Sequence, residues 1–190
     1  MRNAISLVLL ALCTAGCARP GFRAQPPDIS PDAVVLDVPA VQQEARDECG
    51  LATMSALLGY YAVPFPEGER ARLSELAQAG HGLSGAELRD GLQRLGLEAF
   101  LYHGSLDRST GGVLRCVDDS TPPLVLLGSD EEGVYHYTLF TGYEPDAQSV
   151  YLFDPVLGNV RVTRDEFLTR WQQTGSFTLL AFPARREAQG

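Results

Sequence analysis

The sequence contains few basic residues and does not cluster them. Asp and Glu number 24 against 15 Lys and Arg, the formal net charge is −9, and near the end of the chain stands a single basic pair, Arg185-Arg186. No nucleic-acid partner is expected, because nucleic-acid binding requires a basic patch. Histidine is also scarce: three residues lie far apart and lack the paired spacing of metal ligands. We therefore expect no metal and no other cofactor.

The sequence also lacks an apolar run long enough to remain in a bilayer as a helix. The run from Ile5 to Leu12, which follows Arg2, has the length typical of an export signal. Ala15 and Gly16 before Cys17 resemble a bacterial lipoprotein signal, in which cleavage leaves Cys17 as a lipidated first residue. An ordinary secretory signal cleaved nearby is the alternative. Ala18, in place of Asp, implies an anchor in the outer membrane, facing the periplasm of the cell envelope.

Composition divides the chain into four parts. Residues 1–16 are the expected lipoprotein signal, and residues 17–31, which contain four prolines, are interpreted as an extended tether. Residues 32–184 are long enough for one domain with a sizeable core. Residues 185–190 form a polar tail. We expect a monomer whose contact with the membrane is the N-terminal lipid.

The order of predicted elements indicates an α+β fold. Helical patterns come first, at residues 49–58, 67–79 and 84–95. Patterns typical of strands follow at residues 97–102, 124–127, 134–143, 150–153, 160–162 and 177–182, and a last helix is predicted over residues 165–171. Helices followed by a mostly antiparallel sheet are typical of α+β domains.

Cys49 stands at the expected start of the first helix. We predict Asp47 as its N-cap and Gly59 as its end. The free N–H groups of a helix start lower the pKa of a thiol placed there, whereas Asp47 and Glu48 oppose this effect. A positively charged partner, most naturally a histidine, is therefore needed to activate the thiol. The alternative is a buried structural cysteine.

His136 is the histidine best placed to act as that partner. It lies within an apolar and aromatic strand, whereas His81 and His103 are expected at the surface. If the following hairpin turns near residues 145–146, His136 and Asp154 become near-neighbours on adjacent strands. A carboxylate there can fix the tautomer of the imidazole and stabilise its charged form. The alternatives are a core histidine and an Asp that only forms a turn before proline.

Three segments, QEARDECGLATMSALLGYY, HYTLFTGY and LFDPVLG, resemble the papain-like cysteine peptidase family that cleaves double-glycine leaders from bacteriocin precursors. The resemblance covers about residues 38–182. It implies a papain-like fold with Cys49 as nucleophile, His136 as base, Asp154 as the residue that orients the base, and Gln43 as a side-chain donor to the oxyanion. Glu48 replaces the Asp found in many members, at a position without a catalytic role in the family pattern.

The function expected from this resemblance is a lipid-anchored cysteine peptidase acting on a peptide or protein. The sequence has no ATP-binding or membrane-spanning domain like those of the family's peptide exporters, so the export role is not expected. An amidase or transpeptidase could use the same triad, and a peptide-binding module without turnover is a third hypothesis. A disulfide between Cys49 and Cys116 would make Cys49 structural. Gly50 is expected to leave open space beside the sulfur.

Overall fold

The computed structural model describes residues 28–129, 133–146 and 148–184. The predicted signal, the lipidation site Cys17, most of the tether and the tail 185–190 lie outside the described residues. The helices are α1 Cys49–Tyr60, α2 Glu67–Gly80, α3 Gly85–Arg94, α4 Val113–Asp118 and α5 Arg164–Gln172. The strands are β1 Val34–Val35, β2 Leu97–His103, β3 Leu124–Gly128, β4 Tyr135–Tyr143, β5 Ser149–Asp154, β6 Gly158–Thr163 and β7 Phe177–Pro183.

The strands form one antiparallel sheet of seven strands in the order β2-β7-β3-β4-β5-β6, with β1 paired to β4. The sheet separates two apolar cores. On one face α1, α2 and α3 pack against residues such as Leu139 and Phe153. On the other face α4 and α5 cover residues such as Phe140 and Leu152. The predicted α+β class is therefore confirmed.

α1 is the most deeply buried helix of the described chain. Nine of its twelve residues are buried, from Gly50 to Leu58. A helix that is apolar on every side has no face suited to water, so it must be enclosed by other elements. The sheet, α2 and α3 enclose it, and this burial fixes the position of its first residue, Cys49.

The predicted start of α1 at Cys49 is confirmed, whereas its predicted N-cap and its predicted end are wrong. A 3₁₀ turn, Arg46–Glu48, precedes α1, and the N-cap is Glu48, without a side-chain hydrogen bond, rather than Asp47. Gly59 lies inside the helix. A Cβ atom on Gly59 would come within 2.8 Å of the Pro39 ring, so this glycine permits a close approach of the chain instead of ending the helix.

The predicted start of α3 is confirmed. The Ser84 hydroxyl accepts a hydrogen bond from the Glu87 N–H, and the Glu87 carboxylate accepts one from the Ser84 N–H. This capping box satisfies two backbone donors at the helix start. None of the helices in the described parts of the chain is both long and apolar enough to cross a membrane.

Candidate active site

Cys49 is the first residue of α1, and its side chain is half-buried. The backbone N–H groups of Tyr137 and Gly50 donate hydrogen bonds to its sulfur, and the His136 side chain forms a third hydrogen bond with it. The sulfur therefore lies where the N-terminal end of a buried helix meets the beginning of β4. This position is typical of a thiol that has to ionise, because N–H donors and a cationic neighbour stabilise the thiolate.

His136 links the sulfur to a carboxylate. Its Nε2 lies 3.0 Å from Oδ2 of Asp154, which leaves Nδ1 for the Cys49 thiol. The side chain of His136 is 21% exposed, so it borders the solvent, whereas that of Asp154 is 3% exposed. A histidine held between a thiol and a buried carboxylate has the geometry of a general base and its orienting partner.

The backbone after β5 holds Asp154 in place. Its Oδ1 accepts hydrogen bonds from the N–H of Val156 at 2.7 Å and of Leu157 at 3.1 Å. Oδ2 remains directed at His136, so both carboxylate oxygens have partners. A buried carboxylate satisfied in this way stays ionised and keeps a single orientation.

The register of the β4–β5 hairpin differs slightly from the one expected. Leu139 faces Phe153 and Tyr143 faces Val150, with a bulge between Phe140 and Gly142. If this register is extended by one pair beyond Leu139 and Phe153, Asp154 faces residue 138. His136 is therefore a diagonal neighbour of Asp154 and not the nearly direct neighbour that was expected. The two side chains still meet, because diagonal neighbours lie within reach of long side chains.

The electrostatics of the three residues favour an ion pair. Burial raises the pKa of the Cys49 thiol, but the hydrogen bond and charge of His136 and the two N–H donors outweigh burial and hold the pKa below its ordinary 9.0. Burial lowers the pKa of His136, but the hydrogen bonds and charges of Asp154 and Cys49 raise it to about 9. Burial likewise raises the pKa of Asp154, and His136 with the two backbone donors lowers it below its usual value. The thiolate–imidazolium state is therefore stabilised.

Gln43 is not among the residues that line the cleft around Cys49, and its side-chain N–H groups are already engaged. Its Nε2 donates to the Ala45 carbonyl at 3.0 Å and to the Arg46 carbonyl at 3.4 Å. Its backbone N–H donates to the Pro155 carbonyl at 3.0 Å, which ties it to the residue after Asp154. Its Oε1 is buried and without a hydrogen-bond partner in the described part of the chain. The predicted oxyanion role of Gln43 stays a prediction.

A cleft of about 1010 Å³ runs past the three residues. The loop from Gly80 to Gly85 lines it on the helical side, and the ends of β3 and β4 line it on the other side. Three large apolar side chains border it and remain 43 to 54% exposed, namely Tyr135, Val156 and Leu157. An open cleft with apolar walls beside a polar triad suits an extended chain with side chains.

The remaining candidates lie away from this chemistry. His103 and His81 are exposed, as predicted, although His81 borders the cleft. Cys49 and Cys116 are both free thiols, so the alternative of a disulfide between them is wrong. The space beside Gly50 is not open, because a Cβ atom there would lie 3.2 Å from the Tyr137 ring. No group of three or more His, Cys, Asp or Glu in the described residues is arranged to hold a metal ion.

The sequence predicted that N–H groups at the helix start act on the sulfur, as that of Gly50 does, but not the Tyr137 N–H or the backbone donors to Asp154. The Tyr137 N–H beside the sulfur could not be recognised from the type of residue at position 137, because any residue other than proline supplies an N–H. The donors to Asp154 could have been found, since Asp side chains commonly accept hydrogen bonds from the backbone two residues on.

Comparisons with known proteins agree with this geometry. A family model described as the peptidase C39 family matches residues 37–183. No curated protein matches the chain in sequence. Among solved structures, a double-glycine motif protease from an AMS/PCAT transporter, in complex with the leader peptide, is 21% identical with a TM-score of 0.62, over 79% of this chain and 94% of that one.

Two further structures have the same fold. The peptidase domain of Streptococcus ComA, from a bifunctional ABC transporter, is 19% identical with a TM-score of 0.61, over 78% of this chain and 100% of that one. A putative C39-like peptidase from Bacillus anthracis is 16% identical with a TM-score of 0.59, over 81% and 99%. The predicted papain-like fold is therefore confirmed. Because the family model spans most of the sequence, the chain belongs to the peptidase C39 family and is a cysteine peptidase.

Proposed function

We propose that this chain hydrolyses peptide bonds with Cys49 as nucleophile, His136 as general acid and base, and Asp154 as the residue that orients His136, while a lipid on Cys17 holds it at the outer membrane. One observation carries the catalytic part: Cys49, His136 and Asp154 form a continuous series of hydrogen bonds at the edge of a cleft. Such a series is the arrangement that nucleophilic catalysis by a thiol requires.

The first chemical step is attack of the Cys49 sulfur on the scissile carbonyl carbon. The carbonyl oxygen becomes an oxyanion, which the Cys49 N–H stabilises together with the Nε2–H of Gln43. Each such donor contributes roughly 3 to 4 kcal/mol. For this role Gln43 exchanges its longer hydrogen bond, at 3.4 Å to the Arg46 carbonyl, for one to the oxyanion.

The second step releases the amine. The His136 imidazolium transfers its proton to the leaving nitrogen, the C–N bond breaks, and a thioester on Cys49 remains. His136, now neutral, takes a proton from water, whose oxygen attacks the thioester. The carboxylic acid product leaves, and the thiolate and imidazolium are restored. Asp154 remains ionised and keeps the Nε2–H of His136 in one direction throughout.

The substrate we propose is a peptide or an extended segment of a protein. The cleft of about 1010 Å³ lies at the upper end of the volumes of small-molecule sites and has room for an extended peptide. The relative from the AMS/PCAT transporter was solved with a leader peptide, which supports a peptide substrate here as well. The half-exposed Tyr135, Val156 and Leu157 offer apolar contacts to residues beside the scissile bond.

Cleavage of a peptide library tests the catalytic proposal. The wild-type protein is expected to cleave a subset of peptides, and Cys49→Ala and His136→Ala to cleave none of them. Cys116→Ala is the matched control, because that thiol is buried away from the cleft and is expected to leave cleavage unchanged. Cleavage that persists in Cys49→Ala would refute the proposal.

Incorporation of a fatty acid tests the anchor. Cells that express the full chain and receive an alkyne-labelled fatty acid are expected to label the protein, which should appear in the outer-membrane fraction. Cys17→Ser is expected to remove the label, and Cys13→Ser, four residues earlier within the signal, is expected to keep it. A wild-type protein recovered unlabelled in the periplasm contradicts the lipid anchor and favours the ordinary secretory signal.

A further inference from the structure

A buried hydroxyl joins the helix of Cys49 to the strand of His136. The Thr53 side chain has no exposed surface, and its Oγ1 lies 2.7 Å from the Cys49 carbonyl oxygen and 3.1 Å from the Tyr137 carbonyl oxygen. A threonine hydroxyl has one proton, so it donates to these two acceptors in a shared hydrogen bond. One side chain therefore contacts the backbone of the proposed nucleophile and the residue that follows the proposed base.

Both polar groups of the Tyr137 main chain form hydrogen bonds with residues of α1. Its N–H donates to the Cys49 sulfur, and its carbonyl accepts from Thr53. The ladder between β4 and β5 covers Leu139 to Tyr143 on β4, so it ends before Tyr137. The first turns of α1 therefore provide hydrogen bonds to β4 where its pairing with β5 has stopped.

Ser55, on the same helix, shows that this link is specific to Thr53. Its Oγ lies 2.7 Å from the Leu51 carbonyl oxygen, the same contact four residues back that Thr53 makes with Cys49. Ser55 is also buried, at 8% exposure, but the hydrogen bond it forms stays within the helix. A hydroxyl that formed a hydrogen bond only within its own helix would resemble that of Ser55, whereas the Thr53 hydroxyl also forms one to the neighbouring strand.

We propose that Thr53 is a positioning residue, whose hydroxyl sets the separation between α1 and β4 and so holds the Cys49 sulfur at hydrogen-bonding distance from His136. The geometry explains how. An O–H to carbonyl contact brings the heavy atoms to about 2.7 Å, whereas a methyl group stays about 3.3 to 3.6 Å from a carbonyl oxygen.

The contact that joins helix and strand, from Thr53 Oγ1 to the Tyr137 carbonyl oxygen, is 3.1 Å, so replacing the hydroxyl by a methyl group separates the two elements by about 0.2 to 0.5 Å. A displacement of 1 Å at a reacting centre can cost about a hundredfold in rate, so a loss of up to about tenfold is expected here. The packing of Gly50 against the Tyr137 ring, where a Cβ would lie 3.2 Å away, shows that α1 and β4 are close enough for such a change to reach the sulfur.

This inference rests on the proposed roles of Cys49 and His136, and its test separates the two. Four variants are compared with the wild type: Thr53→Val, which keeps the shape without the hydroxyl; Thr53→Ser, which keeps the hydroxyl; Ser55→Ala, the matched helix control; and His136→Ala. The rate of Cys49 alkylation by iodoacetamide is measured from pH 5 to 9, with peptide mapping to separate Cys49 from Cys116. Circular dichroism shows which variants are folded.

The expected result is a rate at pH 6 several-fold and up to about tenfold lower in Thr53→Val, with the titration of Cys49 moved to higher pH, and nearly wild-type profiles for Thr53→Ser and Ser55→Ala. If Thr53→Val does not fold, Thr53→Ala replaces it. A wild-type profile in the hydroxyl-free variant, an equal loss in Ser55→Ala, or the same loss in Thr53→Ser would each overturn the role of Thr53. Equal rates in wild type and His136→Ala would instead refute the proposed function.

Discussion

Replacement of Asp154 by Asn removes one charge from the site and leaves its shape intact. The Asn carbonyl oxygen can still accept the hydrogen bonds of the Val156 and Leu157 N–H groups. Its NH2 group, however, faces Nε2 of His136, where the carboxylate oxygen stood at 3.0 Å. A donor in that position favours the neutral imidazole with its proton on Nδ1, which cannot accept the thiol proton. The variant is therefore expected to fold and to lose most of the thiolate.

The size of the loss follows from the pKa of His136. That pKa stands at about 9 against an ordinary 6.5, and one pKa unit corresponds to about 1.4 kcal/mol. Asp154 and Cys49 together therefore stabilise the imidazolium by at least about 3 kcal/mol, because they also overcome the effect of burial. Asp154 is the stronger of the two, so about 2 kcal/mol is attributed to it, which corresponds to about a 30-fold lower rate.

The assay is alkylation of Cys49 by iodoacetamide at pH 6, followed by peptide mapping, together with kcat/KM for any peptide that the wild type cleaves. Both are expected to fall about 30-fold in Asp154→Asn. Asp107→Asn is the matched control, because Asp107 also accepts a backbone hydrogen bond two residues on, from the Ser109 N–H at 2.8 Å, and does not line the cleft. A folded Asp154→Asn variant with wild-type rates would refute the role of Asp154.

Three further outcomes are expected. Activity should rise with pH as the Cys49 thiolate forms and should fall above about pH 9, where His136 loses its proton, so a profile that keeps rising past pH 10 contradicts the ion pair. Unfolded, unreduced protein should yield both Cys49 and Cys116 as alkylated thiols on mapping, whereas a disulfide-linked peptide pair would be inconsistent with the structure. Gly142→Ala should lower the free energy of unfolding by about 2 kcal/mol or more, because its Cβ would lie 2.4 Å from the Val34 carbonyl oxygen; denaturation with unchanged stability would contradict this packing.

Local patterns predicted the parts of the fold that depend on neighbouring residues. The apolar run after Cys49 predicted a buried helix, and Ser84 with Glu87 predicted a capping box, since both signals act within one or two turns. The proximity of His136 to Asp154 followed from the length of one hairpin, which limits the register to within a residue or two.

Features set by contacts between distant segments could not be predicted. The bulge between Phe140 and Gly142 shifts the hairpin register, and it lies where β1 pairs with β4 from more than a hundred residues earlier in the chain. Asp is a preferred N-cap residue type, yet Asp47 lies inside the 3₁₀ turn that immediately precedes Cys49. The direction of the Gln43 amide depends on which carbonyls the folded loop brings near it.

The hydrogen bonds by which Thr53 joins α1 to β4 also could not be predicted from the sequence. Its hydroxyl reaches a carbonyl 84 residues away in sequence, on a strand that no local pattern relates to the helix. From the sequence alone, Thr53 is a small residue inside an apolar helix, similar to Ser55. Only the folded arrangement distinguishes the hydroxyl that spans two elements from the one that stays within the helix.

Mass spectrometry of a covalent intermediate tests the central claim most directly. The wild-type protein is mixed with a peptide that it cleaves, quenched in acid within the first turnover, and digested for mapping. An acyl group that corresponds to the N-terminal part of the peptide is expected as a thioester on the fragment with Cys49, and it should be absent from the fragment with Cys116. Cleavage by a protein whose Cys49 is never acylated, or an acyl group found only on another residue, would contradict the account.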